Sequence, residues 1–160
     1  MLLLRNATIF PQTDEAPFVG DVLCENGVIK EIGSGLLAEG AEVLDLTGLY
    51  LLPGLVDCHS HAGLAPDGEV KGIRYSTDTG HPVSPQMDVI YNADPLNPVY
   101  GHALENGITT LGVIPGSSDV IDGTGFAART WGDNIFDMCL KRNMCLKLSL
   151  GENPKGMFQN

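Results

Sequence analysis

The sequence has few basic residues and no long hydrophobic run. Nine lysines and arginines stand against twenty aspartates and glutamates in 160 residues, a formal net charge of −11 at pH 7. Nucleic acids and anionic membranes both bind basic surfaces, so we expect neither as a partner. No apolar stretch reaches the roughly 20 residues of a transmembrane helix. Residues 1–4 are apolar, but Arg5 follows directly, so a signal peptide is not expected.

The four cysteines are scattered and form no Cys-x-x-Cys pair. Zinc ribbons and disulfide scaffolds both depend on closely spaced cysteines, so neither is indicated. The composition, with 43% hydrophobic residues, is that of a globular protein. We therefore expect reduced thiols and a cytoplasmic location.

One short stretch, residues 51–64, predicts a buried strand that ends in a metal site. A Pro-Gly pair precedes its apolar start, and Asp57, His59 and His61 then occupy every second position. Because side chains of a strand alternate between faces, these three share one face. Two imidazoles at i and i+2 can converge on one cation, and Asp57 could orient a histidine from behind. The alternative is two solvated histidines in a turn.

The run from Pro53 to His61, Pro-Gly-Leu-Val-Asp-Cys-His-Ser-His, resembles the first-strand signature of the amidohydrolase superfamily. It is most similar to the imidazolonepropionase-like and dihydroorotase/hydantoinase-like branches. The resemblance implies an α/β fold, a (β/α)8 TIM-like barrel preceded by a small N-terminal β-sandwich subdomain. Residues 1–52 would form the N-terminal part of the sandwich, and residues 53–160 the first strands and helices of the barrel. The motif is specific for the superfamily and not for any one substrate.

The length of the chain conflicts with a complete barrel, which needs about 250 residues. Once the sandwich is subtracted, about three βα units of roughly 30 residues each can be accommodated. We interpret the chain as an N-terminal fragment of a longer enzyme, with an incomplete barrel. The alternative is a compact domain of another kind that reuses the motif.

The segments on either side of the motif contain short predicted elements. An Asn-Gly pair at residues 26–27 predicts a tight hairpin, because both positions tolerate positive φ. A helix is predicted from Asn97 to Gly107, and His102 on it is interpreted as structural or exposed. The predicted strands are residues 2–10, 18–25, 28–32, 41–46, 108–114 and 144–150, with a further short helix at 133–140.

Two loops are candidates for substrate contacts. Residues 62–97 lack periodicity and follow a predicted barrel strand, so they would lie at the face where barrel enzymes bind substrate. Arg74, Tyr75 and His81 are the candidates there, and incidental solvated residues are the alternative. The Gly- and Ser-rich stretch at residues 115–125, which contains Ser117, is predicted as a loop that could hold an anion on its backbone N–H groups, or could be a simple turn.

The resemblance also implies a bridging metal ligand from a middle strand, either a glutamate or a carboxylated lysine. Strand alternation would direct Lys147 inward, whereas Glu152 follows the strand at its C-terminal end. We favour Glu152, because catalytic groups of barrels lie at strand ends, and keep Lys147 as the alternative. A salt bridge or a surface charge is the structural alternative for both.

The implied reaction is hydrolysis of a carbon–nitrogen bond in an amide, cyclic amide or peptide-like small molecule by metal-activated water. One or two divalent ions, zinc first, would be the cofactor. The implied proton-shuttle aspartate lies beyond residue 160, so we expect the chain alone to be inactive. A mononuclear deaminase of the same fold and a non-catalytic scaffold relative are the alternatives. A homo-oligomer of the full-length protein is a further expected possibility.

Overall fold

The computed structural model describes residues 1–65, 76–78 and 80–158. The chain divides into two compact units, Met1–Pro53 and Gly54–Asn160, called here the first and second units. Both are built mainly from strands, and the second also contains short helices. Within the described ranges, no helix is long and apolar enough to cross a membrane.

The first unit is a five-stranded sheet. In the order β3-β2-β1-β4, the first three strands are antiparallel, and β1 also pairs in parallel with β4 and with β5. The predicted hairpin is confirmed, since Asn26 and Gly27 have φ values of 52° and 76° between β2 and β3. A small apolar core forms on the sheet around Ala7, Ile9 and Val22. The strands are β1 Leu2–Ile9, β2 Phe18–Glu25, β3 Val28–Gly33, β4 Glu42–Asp45 and β5 Tyr50–Leu51.

The buried carboxylate of Asp21 stabilises the part of this sheet where the pairing of β1 with β2 is irregular. The register of β1 against β2 shifts between Leu4 and Ala7, and Asn6 there has a φ of 61°. Asp21 on β2, only 3% exposed, accepts hydrogen bonds from the backbone N–H groups of Asn6 and Leu36, each 2.9 Å long. The hydrogen bond from Asn6 is the main cause that lowers the pKa of Asp21, against the opposing effect of burial.

We expect Asp21→Asn to destabilise the chain by about 1–3 kcal/mol, because an amide cannot accept both backbone hydrogen bonds. The lowered native pKa stabilises the fold above the ordinary value of 3.8, and this contribution is lost as the pH falls below it. Urea denaturation followed by circular dichroism at neutral and acidic pH measures both effects. Asp14→Asn, at an exposed position, is the control. Equal losses in the two variants would contradict the assignment.

The second unit contains a four-stranded sheet in the order β6-β7-β8-β9. Strands β6 and β7 are parallel and flank helix α1, whereas β7, β8 and β9 are successively antiparallel. The described elements are β6 Leu55–Ser60, a 3₁₀ helix Val89–Asn92, α1 Val99–Glu105, β7 Ile108–Val113, β8 Ile121–Arg129, α2 Ile135–Met138, β9 Cys139–Leu148 and α3 Glu152–Met157. The parallel strand–helix–strand unit is the one predicted from the sequence.

Helix α1 starts and ends as the sequence predicts. The side chain of Asn97 accepts a hydrogen bond from the backbone N–H of Val99, 3.0 Å away. Gly107 has a φ of 79° just after the helix, a conformation that glycine adopts without a steric penalty. The chain then passes directly into β7.

The predicted boundaries after β7 were wrong. Residues 121–125, predicted as a loop, begin β8, and the predicted helix at 133–140 is a single turn before β9. The glycines of this stretch lie in a strand at close approach: a Cβ on Gly123 would lie 2.2 Å from the carbonyl oxygen of Met87. A Cβ on Gly125 would lie 2.8 Å from that of Val113. Close packing therefore accounts for glycines that resemble turn residues in the sequence.

The core of the second unit lies between the sheet and its short helices. Phe126 on β8 is fully buried within it, together with Tyr100 of α1 and Met138 of α2. The other buried members are Ala62, Leu64, Val89, Ile90, Ala93, Leu111, Val113, Ala128 and Ile135. This core underlies the end of β6, where the two histidines lie.

Candidate metal centre

The two histidines of the motif lie side by side at the C-terminal end of β6. His59 belongs to the strand, which ends at Ser60, and His61 follows it. Their ring centroids are 5.6 Å apart, with an interplanar angle of 79°. Both residues are exposed to solvent. The i, i+2 spacing thus brings the two imidazoles together.

A backbone carbonyl orients His61. Its Nδ1 lies 2.9 Å from the carbonyl oxygen of Ile114, at the end of β7. A carbonyl oxygen only accepts hydrogen bonds, so Nδ1 carries the proton and Nε2 keeps its lone pair. The same carbonyl-to-imidazole contact is common behind metal-bound histidines. The backbone N–H of Ile114 donates to the carbonyl oxygen of Ser60 (3.0 Å), which ties the two strand ends together.

Asp57 contacts the backbone of the motif. Its Oδ1 accepts a hydrogen bond from the N–H of His59, 3.0 Å away, which makes a local turn of the aspartate side chain. The carboxylate therefore stabilises the backbone that carries His59. Its predicted role behind a histidine ring stays a prediction.

A cavity of about 590 Å³ lies between the end of β6 and helix α1. Asp57 and His61 line it from the strand, and Asn97 and His102 from the helix side. His102 is exposed, as the sequence predicts for it. The volume is in the range of sites for small molecules.

Glu152 and Lys147, the alternative third ligands, lie on different elements. Glu152 is the exposed first residue of α3 and forms an ion pair of 3.0 Å with Lys155. Lys147 is half-buried on β9, while its neighbours Leu146 and Leu148 are 45% and 55% exposed. In the described ranges, no three His, Cys, Asp or Glu side chains form a group that could hold a metal. The choice of ligand stays a prediction.

The predicted substrate contacts are spread over the second unit. Arg74 and Tyr75 lie outside the described residues. His81 is exposed, and its Nδ1 lies 3.5 Å from the carboxylate of Asp78. Ser117 is half-buried between β7 and β8. Their roles toward a substrate stay predictions.

A pair of buried acids that follows Ser117 in the chain was not identified from the sequence. Asp119 and Asp122 are both 0% exposed. Burial, and then the charge of Asp119, raise the pKa of Asp122 to about 7. Burial also raises the pKa of Asp119. Two aspartates three residues apart in an apolar, glycine-rich stretch were the available signal, but they were interpreted as part of a polar loop.

No family model matches the chain. The chain is nevertheless similar in sequence to an amidohydrolase, to dihydroorotases and to a D-hydantoinase. The amidohydrolase tasK of Hapsidospora irregularis is 31% identical over 142 residues, which cover 78% of this chain and 14% of that protein. A dihydroorotase of Ruminiclostridium cellulolyticum is 43% identical over 60 residues, 38% of this chain and 14% of the relative. A D-hydantoinase of Geobacillus stearothermophilus is 41% identical over 77 residues, covering 48% and 16%.

A solved structure extends the likeness to nearly the whole chain. An amidohydrolase from Thermotoga maritima aligns with a TM-score of 0.92 and 34% identity, covering 98% of this chain and 41% of that protein. The chain therefore spans about two fifths of this neighbour and a smaller share of the relatives found by sequence.

The fold defines the class of protein, the α/β start of a TIM-like barrel preceded by a small sandwich part, and the predicted fold class is confirmed. The chain belongs to the amidohydrolase superfamily, as the sequence motif predicted.

Proposed function

We propose that the protein is a metal-dependent hydrolase of carbon–nitrogen bonds that acts on cyclic amides. The observation that carries the proposal is the His59–His61 pair, with its 5.6 Å ring separation and the Ile114 carbonyl behind His61. A histidine held in this way offers Nε2 as a metal ligand, and a structural role for two exposed neighbouring imidazoles is not evident.

The donor set of the pair fits a divalent transition metal, zinc first. Imidazole nitrogen suits zinc, iron and nickel better than calcium or magnesium. A metal bound here would lower the pKa of its water to about 7 and so supply hydroxide at neutral pH. His61 would be kept in the correct tautomer by Ile114, and the backbone of His59 would be stabilised by Asp57.

Two imidazoles are one ligand short of the three that catalytic zinc sites usually contain. We assign the next position to Glu152, which follows the last strand of the sheet and whose carboxylate contacts only the exposed Lys155 among the described residues. Lys147 is the alternative, because it is half-buried on β9. These assignments are part of the proposal.

The substrate class follows from the relatives and from the size of the cavity. Dihydroorotase, D-hydantoinase and dihydropyrimidinase are each named after a substrate whose ring contains an amide bond. A cavity of about 590 Å³ beside His61 is large enough for such a ring. A cyclic amide is therefore the substrate class that we propose.

The proposal is tested with a chimaera in which residues 1–160 replace the matching part of the Thermotoga maritima amidohydrolase, to which they align over 98% of their length. We expect zinc-dependent hydrolysis of at least one of dihydroorotate, dihydrouracil and hydantoin by the chimaera. We expect none by the 160-residue chain alone, because two imidazoles hold zinc poorly. Ring opening is measured by loss of ultraviolet absorbance or by chromatography.

Variants of the chimaera distinguish the two assigned ligands. Glu152→Gln should abolish turnover while Lys147→Arg retains it, and the reverse result would assign the position to Lys147. A folded, zinc-loaded chimaera that opens none of the rings would contradict the proposed substrate class. Turnover by the 160-residue chain alone would show that its own residues complete the site.

A further inference from the structure

A buried pair of carboxyl groups lies where β8 begins. Asp119 precedes the strand and Asp122 is its second residue. Neither is exposed to solvent, and their four carboxylate oxygens receive no hydrogen bond within the described part of the chain. The two residues are three positions apart in the chain, and each carboxyl group affects the pKa of the other. An isolated buried carboxylate without donors is strongly destabilising.

The charged groups around the pair do not neutralise it. Asp78 faces Asp119 and adds a further negative charge, and it is already bonded to Gly80 N–H and Ser84 Oγ. Lys147 on β9 faces Asp122 but forms no ion pair with it within 4.0 Å. Two further ion pairs in this unit, His81 with Asp78 and Arg142 with Asp88, leave no free cation among these four residues for the pair.

Two neighbouring carboxyl groups inside a protein are not both ionised at neutral pH, because their charges repel. They usually share one proton. We propose that Asp119 and Asp122 form a carboxyl–carboxylate pair that shares one proton, and that this proton locks the start of β8 in place at neutral and mildly acidic pH. The proton converts one oxygen into a donor, so the pair satisfies itself in a hydrogen bond between two acids.

The segment that this pair stabilises is tied to its surroundings by backbone hydrogen bonds. The N–H groups of Val120 and Ile121 donate to the carbonyl oxygen of Pro82, at 2.9 and 3.2 Å. Ser84 N–H donates to Ile121 (2.8 Å), and Ser149 N–H donates to Val120 (3.1 Å). Ionisation of both acids at their centre would separate the carboxylates and strain these connections. The protonation state of the two buried acids is therefore coupled to the hydrogen bonds that connect three chain segments, at residues 82–84, 120–121 and 149.

The direction of the pH effect follows from the raised native pKa. The pKa of an unfolded aspartate is near 3.8, whereas burial and the neighbouring Asp119 raise the pKa of Asp122 to about 7 in the folded chain. Between these values the folded state binds more protons than the unfolded state, so stability falls as the pH rises. The unfolding equilibrium constant should grow by up to about tenfold per pH unit in this window and level off above it.

The test compares the complete 160-residue chain with its Asp122→Asn variant by urea denaturation between about pH 5 and pH 8. The fluorescence of Trp131, the single tryptophan, reports on the second unit. We expect Asp122→Asn to lose most of the pH dependence and to exceed the wild type in stability at pH 8, because an amide keeps the hydrogen bond without a titratable proton. Asp137→Asn, at an exposed carboxylate, should keep the wild-type slope.

Three results would overturn the inference. One is an unchanged pH dependence in Asp122→Asn. Another is carboxyl ¹³C resonances of Asp119 and Asp122 in the wild-type chain that both titrate near 4; this measurement also decides the matter if the variant does not fold. The third is a gain in wild-type stability at pH 8 on addition of calcium chloride, absent in Asp119→Asn, which would assign a cation in place of the proton.

Discussion

The double variant His59→Ala/His61→Ala is expected to reduce the zinc affinity of the 160-residue chain by about 100-fold or more. The two rings lie 5.6 Å apart, and Ile114 keeps the Nε2 lone pair of His61 free, so both can bind one ion. A 100-fold loss corresponds to about 2.7 kcal/mol of binding free energy. Zinc titration against a chromophoric chelator, at equilibrium and without dialysis, measures both the affinity and the stoichiometry.

The chain supplies its own matched control, since it has four histidines. His81→Ala/His102→Ala removes the same number of imidazoles and leaves the motif intact. His102 lines the same cavity as His61, so this control also tests whether the cavity, and not the strand end, attracts the metal. Equal losses in the two double variants would mean that zinc binds to histidines at random and would contradict a site at the motif.

The side-by-side placement of the two motif histidines could be predicted from the sequence because its geometry is local. Alternation along one strand brings His59 and His61 to the same face, whatever the rest of the fold. The partner of His61 could not be predicted in this way, because the carbonyl oxygen of Ile114 is 53 residues away and reaches it only through the pairing of β6 with β7. Local pattern therefore identifies the donors, and tertiary structure identifies what orients them.

The second half of the chain shows the limit of local patterns. Gly123 and Gly125 have the composition of a turn, but the strand that contains them needs glycine because Met87 and Val113 approach its backbone closely. The antiparallel pairing of β8 with β9 is also not visible in local spacing, which suggested a longer helix and a shorter strand. The alternation along β9 was nevertheless predicted, since Lys147 is half-buried; Leu146, on the face expected to meet the helices, is 45% exposed.

The two acidic sites of the chain illustrate the same distinction in energetic terms. Asp21 and Asp122 are both buried, and neither was singled out from the sequence. Asp21 accepts hydrogen bonds from two backbone N–H groups, which lower its pKa. The pKa of Asp122 is raised by burial and by the charge of Asp119. Opposite shifts arise because the neighbours differ, and those neighbours are set by the fold.

Phe126→Ala is expected to cost about 3–5 kcal/mol, because it removes a fully buried aromatic ring from the centre of the second unit. Phe126 is paired with Val113 across β7 and β8 and belongs to the core cluster that includes Tyr100 and Met138. Since domains are stable by only about 5–15 kcal/mol, this loss should bring the unit close to unfolding. Urea denaturation monitored by Trp131 fluorescence measures it.

Phe136→Ala is the matched control, because it deletes the same ring where it is 49% exposed. Phe136 packs edge to face on Tyr91, with centroids 5.7 Å apart, so we expect a loss of about 1 kcal/mol. Comparable losses in the two variants would contradict the assigned core. A large loss at Phe126 alone would show that the core of the second unit depends on this buried ring.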